Sequence, residues 1–361
     1  MSFIINIVLF LVLFLVLLSV IICIHELGHL IAAKLFGVYC FEYSFGMGPV
    51  IFQKKGKETQ YSIRALPVGG FVSMAGETDG DEAYPDVEVP EGRRLTDKKP
   101  WQKIIVMLAG VFMNFVLCLV IFAGINLYNG TYVSYPKAEI NKVEEGSPAE
   151  EAGLKAGDRI IKIEKEDGSS VKPENYMDIT SFVYGYSGVE TYTVERNNET
   201  VTVDVTPVYD EESDSYKIGI YAPEAERADV KIWNCLYYGV QDMITITRVM
   251  LTTLAGLFFH GSNLDQLSGP VGIYQATSTY ASMGIASFLL LIAEMSLNVG
   301  IFNLLPLPIL DGGQVVVTLV EWIIHRSVNQ KVKMAIMGAC WVLMIGLMLF
   351  VTWNDISRLL G

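Results

Sequence analysis

Four stretches of the chain stay apolar for the length a helix needs to cross a hydrocarbon core, about 20 residues. They run from Phe3 to Ile24, from Ile104 to Leu127, from about Gly284 to Leu310, and from Met334 to Trp353. The first is interrupted only by Asn6 and Ser19. It has neither a basic leader before it nor a small-x-small cleavage site, so it predicts a retained span rather than a removed signal peptide. Elsewhere the pattern changes to alternation. Phe41 to Pro49 and Thr59 to Val72 mix bulky and polar residues with glycine and proline, which predicts short strands. Thr191 to Glu195 and Thr200 to Pro207 alternate in the same way, and Val230 to His260 predicts an amphipathic helix on the membrane, or a partly inserted one, rather than a clean span.

Composition supports membrane-buried segments joined to aqueous parts. Apolar residues make up 52% of the 361 and charged residues 18%, against roughly 25% charged in soluble chains. Collagen, coiled coil and disordered tail are excluded. The basic residues set an orientation, because short cytoplasmic loops collect Lys and Arg. Ten lie between the first two spans, with Arg93, Arg94, Lys98, Lys99 and Lys103 just ahead of the second, and Arg326, Lys331 and Lys333 lie between the last two. Both termini are therefore expected outside, with both short loops cytoplasmic and residues 129–283 outside. That long segment carries 24 acidic against 12 basic side chains, nearly all of the chain's net charge of −13. Such acidity repels phosphates and excludes nucleic acid as a partner. The five cysteines show no C-x-x-C spacing and read as small apolar residues.

The first span runs on through His25-Glu26-Leu27-Gly28-His29, and its helical period is expected to persist to about Leu35. Residues four apart share a helix face, so both imidazoles can reach one cation while Glu26 stands beside it, the H-E-x-x-H arrangement. A carboxylate in apolar surroundings costs several kcal/mol unless compensated, and a divalent cation compensates it. Catalytic zinc takes three protein ligands, so a third must come from elsewhere. In the third span, Pro306 and Pro308 break the hydrogen-bond ladder and Gly312-Gly313 permits a turn after Asp311. Irregular backbone at membrane depth lines cavities, which makes Asp311 a candidate ligand. Capping a helix that begins at Gly312 is the alternative, compatible with ligation. By the same topology, Asp311 and the histidine pair both lie towards the cytoplasmic side.

These two motifs, His25-Glu26-x-x-His29 and Asn303-x-x-Pro306-x-Pro308-x-Leu310-Asp311-Gly312, resemble the signatures of the site-2 protease family of intramembrane zinc metalloproteases, in order and separation. The similarity is to its bacterial branch, which performs regulated intramembrane proteolysis. The resemblance implies that His25, His29 and Asp311 bind Zn2+, that Glu26 activates water, and that Asn303 holds or polarises the substrate backbone. A helix–helix hydrogen bond is the alternative for Asn303. It also implies that the strands around Gly69 and Gly70 form a membrane-associated β-loop whose edge pairs with unwound substrate; an ordinary hairpin is the alternative. Ser147-Pro148-Ala149 and Gly153-Leu154-x-x-Gly157-Asp158 resemble the PDZ domains of bacterial proteases, with a short helix capped by Ser147. Gln314 departs from the histidine that many relatives carry there.

The expected fold is a polytopic α-helical membrane protein of about four transmembrane helices, with a β-loop and an inserted extracytoplasmic α+β PDZ domain. Residues 1–128 form the N-terminal membrane part, 129–225 the PDZ domain, and 226–361 the amphipathic segment and C-terminal membrane part. The expected function is hydrolysis within the transmembrane segment of a single-span protein, such as an anti-sigma factor, or of a signal-peptide remnant, in the bacterial cytoplasmic membrane. The PDZ domain would take a peptide or substrate ectodomain, or serve only as a spacer. A catalytically inactive PDZ scaffold and a metal transporter are the competing functions.

Overall fold

The computed structural model describes residues 2–77, 80, 83–210, 215–256, 268–326 and 328–360. The chain divides into two compact units, 1–122 with 268–361, and 123–267. His260, the end of the stretch expected to be amphipathic, lies outside the described residues.

In the first unit, helix α1 (Ser2–Leu35) continues through the histidine motif as its periodicity predicts. It stops where Gly37 enters the left-handed region at φ 68°, allowing the Gly37 and Val38 amides to close on Lys34 and Ala33 carbonyls. Lys34 sits in the last turn, where the helix dipole favours a cation. Helix α2 (Pro100–Asn129) crosses α1 at a contact of small residues. A Cβ on Gly28 would lie 2.2 Å from the Ala109 carbonyl oxygen, so the two backbones can approach this closely only without a side chain there. Among the described residues, four helices are long and apolar enough to cross a membrane: Ile5–Leu35, Pro100–Asn129, Ile285–Asn303 and Lys331–Ser357. Leu17 and Ile21 of α1 pack on Phe288, Leu291 and Ile292, with Leu117 and Ile121 of α2 at the edge of the same cluster.

Between α1 and α2 the predicted strands pair as one antiparallel hairpin, β1 (Cys40–Lys55) and β2 (Gln60–Met74), with repeated register shifts. Its anchor is Glu42, fully buried, which accepts from Nη2 of Arg64 through both oxygens at 2.8 and 2.9 Å and from the Tyr84 hydroxyl. Burial opposes the charge on Glu42, but hydrogen bonds from Tyr84, Ser62 and Arg64 outweigh it and hold its pKa below the ordinary value. Arg64→Ala strands a buried carboxylate, a loss worth about 3–5 kcal/mol. Amide hydrogen exchange across residues 40–74 is therefore expected to speed up by roughly a hundredfold or more. Unchanged exchange would show that the ion pair does not anchor the hairpin.

Among the described residues, the C-terminal part of this unit holds four more helices. In the second unit, described next, lie α3 (Pro148–Glu151), α4 (Tyr176–Val183) and α5 (Cys235–Ala255). The four are α6 (Pro270–Ser282), α7 (Ile285–Asn303), α8 (Asp311–Ile324) and α9 (Gln330–Leu360). Helix α6 has no cap from its own N-terminal side chain. The carboxylate of Asp355, a buried residue near the end of α9, takes that place, accepting from the Gly269 and Gly272 amides at 2.9 and 2.8 Å.

The second unit is built on an antiparallel sheet in the order β4-β3-β5-β6: β3 spans Arg159–Lys165, β4 Ser170–Val171, β5 Glu190–Arg196 and β6 Glu199–Val205. Alternation along β5 buries Glu190, Tyr192 and Val194 on one face. Tyr192 and Val194 join Ile140, Ala149, Leu154, Ile160, Ile163, Ile179 and Phe182 in the core. As the sequence predicts, α3 has Ser147 as its cap, accepting from the Glu150 amide at 3.3 Å, and Pro148 at its first position.

Glu190 is an acid in this apolar core. Burial raises its pKa from 4.5 to about 7, with the Tyr192 hydroxyl at 2.6 Å and the Lys165 ammonium only partly offsetting it. Below about pH 4.5 the carboxyl is protonated whether the unit is folded or not. As pH rises from there to about 7, the unfolded chain releases a proton that the folded one keeps, so stability falls and levels off above 7. Glu190→Gln is expected to remove this loss, worth about 3 kcal/mol at pH 8 and little at pH 4.5. Thermal melts of the second unit's signal at both pH values check it; an equal effect at both would assign Glu190 a role other than proton linkage.

Candidate metal centre

Helical spacing brings His25 and His29 onto one face of α1, and both are buried. Their Nε2 atoms lie 3.2 Å apart. The chain segment after α7 carries the third group to them. With Pro306 and Pro308 denying the backbone its donors, α7 ends at Asn303 and the chain runs irregularly to Leu310. Helix α8 then folds back so closely that Cβ atoms on Gly312 and Gly313 would lie 2.3 and 2.0 Å from the Leu304 and Leu307 carbonyl oxygens. Only glycine permits that approach, and it aims Asp311 at the histidines. Asp311 is the first residue of α8; the cap position is Leu310 and no side chain caps the helix, so the capping role weighed for Asp311 is not what the structure shows.

Oδ2 of Asp311 lies 3.0 Å from Nε2 of His25 and 3.5 Å from Nε2 of His29. One ligating atom from each of the three residues falls within 4.8 Å of the others. Despite this proximity, Asp311 Oδ2 is buried and has no hydrogen-bond donor in good alignment. Two imidazole nitrogens and a carboxylate oxygen converging in this way suit a divalent cation with nitrogen and oxygen preference, and the unpaired oxygen is where such a cation would supply the missing charge.

Around the cluster, Glu26 stands one residue from His25 and its Oε2 accepts from the Val72 amide of β2 at 3.0 Å. The hairpin thus orients the glutamate through its backbone. Nδ2 of Asn303, the last residue of α7, comes within 3.5 Å of His25 Nε2. Gly69 and Gly70 are buried: Gly70 pairs with Phe45, and a Cβ there would meet the Ser44 carbonyl oxygen at 2.7 Å and Cys23 Sγ of α1 at 3.5 Å. They lie three and two residues before Val72, whose amide holds Glu26.

Helix α2 supplies groups that the sequence reading passed over. Nδ1 of His29 is 2.8 Å from the Val106 carbonyl, and Nδ1 of His25 is 3.2 Å from Nδ2 of Asn114. Between them, a Cβ on Gly110 would lie 2.4 Å from His29 Nε2 and 2.8 Å from His25 Nε2. Residues 106, 110 and 114 are four apart and share one helix face. The only trace of this in the sequence is an asparagine four residues after a glycine within an apolar run.

A family model described as "Peptidase family M50" matches residues 13–347. The regulator of sigma-W protease RasP of Bacillus subtilis is 33% identical over 93% of this chain and 95% of its own. Zinc metalloprotease RasP of Bacillus licheniformis is 32% identical over 93% and 96%. A Clostridium perfringens relative reaches 35% identity over 93% of this chain and 95% of its own. Among solved structures, the PDZ domain of an SdrC-like protein from Listeria monocytogenes covers 25% of this chain at 20% identity with a TM-score of 0.20, too low to bear on the fold. The matched span begins in α1, ends in α9 and takes in His25, Glu26, His29, Asn303 and Asp311; this chain belongs to peptidase family M50.

Proposed function

We propose that the chain is a zinc-dependent intramembrane endopeptidase that cuts a peptide bond within the transmembrane segment of a single-span substrate. The observation that carries this is the convergence of His25, His29 and Asp311 from two separate parts of the chain on one point, with Glu26 beside it. His25, His29 and Asp311 would hold the zinc, in keeping with the names of the relatives. When bound, zinc polarises the scissile carbonyl and makes a nearby water acidic enough to lose a proton at neutral pH. Glu26, fixed by the Val72 amide, accepts that proton and passes it to the leaving amine nitrogen. Asn303 would hold the substrate backbone as it enters, and β2 near Gly69 and Gly70 would guide an unwound segment towards Glu26.

The site's place far along a helix of bilayer length supports a buried reaction site, reached only by a substrate that is itself in the membrane. The distribution of basic residues supports a cytoplasmic-side site in a cell membrane, with both termini and a PDZ-type domain outside. The motif Ser147-Pro148-Ala149 and the helix it caps support the PDZ reading, and the domain would admit a substrate ectodomain or peptide. A substrate class of anti-sigma-factor-like proteins or signal-peptide remnants is in keeping with a relative named as a sigma-W regulator protease. The test is the purified full chain in liposomes with single-span reporter proteins. Cleavage within the reporter's apolar segment, stopped by a zinc chelator and restored by zinc, is the expected result; cleavage only in soluble flanks, or none with one zinc per chain, would overturn the reading.

A further inference from the structure

We propose that Asn114 is a positioning residue for the metal centre: its side-chain oxygen accepts the Nδ1 proton of His25 and so keeps the Nε2 lone pair of that histidine turned towards the site. The inference rests on reading the cluster as a zinc site. A neutral imidazole carries one proton, and a metal takes the nitrogen without it. For His29 the choice is settled by backbone. Its Nδ1 faces the Val106 carbonyl at 2.8 Å, which can only accept, so the proton belongs on Nδ1 and Nε2 is left for a cation.

His25 has no such carbonyl. Its Nδ1 faces the carboxamide of Asn114, which is wholly buried and which has its Oδ1 without a partner. A carboxamide can present either oxygen or nitrogen to the same neighbour. With nitrogen presented, it donates to Nδ1 and drives the His25 proton onto Nε2, into the space shared with His29 Nε2 and Asp311 Oδ2, while Oδ1 stays unpaired. With oxygen presented, the orphaned acceptor gains a donor and His25 matches His29, both Nε2 lone pairs facing Asp311. Outer partners of this kind raise metal affinity by roughly 10–100-fold.

Asn114 is held for this task from behind. Ser296 Oγ of α7 donates to the Asn114 carbonyl at 3.0 Å, and a Cβ on Gly300, one turn on, would lie 3.5 Å from Asn114 Cβ. α7 is the helix that ends at Asn303, so the helix just ahead of the segment leading to Asp311 also supports the partner of the first ligand.

The test measures zinc affinity of the full chain in detergent by competition with a chromophoric chelator, together with zinc content by mass spectrometry. Asn114→Leu keeps the volume and removes the acceptor; Asn114→Asp keeps only the acceptor. Binding is expected to weaken roughly 10–100-fold in the leucine variant and to match or exceed the wild type in the aspartate variant. A role in packing alone would favour leucine over a buried carboxylate, the opposite order. Circular dichroism of the metal-free chains checks folding, and Asn114→Ala replaces the leucine variant if that one does not fold. Wild-type affinity in the leucine or alanine variant, with wild type loaded, overturns the role of Asn114 while leaving the zinc reading intact. A wild type that binds no zinc overturns both.

Discussion

Glu26→Gln is expected to leave zinc bound at one per chain and to lower turnover by at least the roughly 10²–10⁴-fold that a positioned general base contributes. Glutamine retains a side-chain oxygen for the Val72 amide, now 3.0 Å from Oε2, so the hairpin contact and the position of the side chain survive. What is lost is the capacity to take a proton. The three ligating residues are untouched, which separates this variant from loss of the metal. Single-span reporter cleavage in liposomes, with zinc content measured on the same sample, checks it. Turnover within tenfold of wild type would remove Glu26 from the reaction. Comparing membrane proteomes of cells carrying wild type and Glu26→Gln then identifies the natural substrate as the single-span protein that accumulates uncut.

Gly110→Ala is expected to act in the opposite way, by emptying the site. The added methyl would stand 2.4 Å from His29 Nε2 and 2.7 Å from Cε1 of His25, inside van der Waals contact of both rings. Neither ring can step aside cheaply. Each is buried, and each is tied at Nδ1 to α2 itself, His29 to Val106 and His25 to Asn114. The methyl also occupies the space on which the three ligating atoms converge. Zinc affinity should fall by more than the roughly 10–100-fold typical of losing an outer partner, and cleavage should disappear with it. Gly124→Ala in the same helix, where a Cβ meets nothing within 4 Å, is the control and should bind normally. Full zinc occupancy in Gly110→Ala would mean that the cation sits away from Nε2 of both histidines.

The parts of this architecture that could be read in advance are those with a periodic or a length signature. The spans show themselves because lipid demands some 20 apolar residues in a row, and the histidine pair because four residues make about one helical turn. Asp311 is legible because two prolines and two glycines have no reason to interrupt an apolar helix other than to break it. What α2 and β2 contribute was not legible. The Val106 carbonyl and the Val72 amide are backbone groups that any residue would supply, so no side chain marks them. Gly110 matters only for what lies opposite it, which a single strand of text does not contain. The buried setting of Gly70 was hidden for the same reason: its neighbour, Cys23, is 47 positions away in sequence.

The carboxylate of Asp355 has a practical corollary. It stitches the last helix to the start of α6 through paired amide bonds, and it stands six positions before Gly361. Removing residues 352–361 would spare every group of the hydrolytic centre yet unfasten α9 from the start of α6. Loss of activity in a shortened protein should first be traced to that undone seam rather than to chemistry.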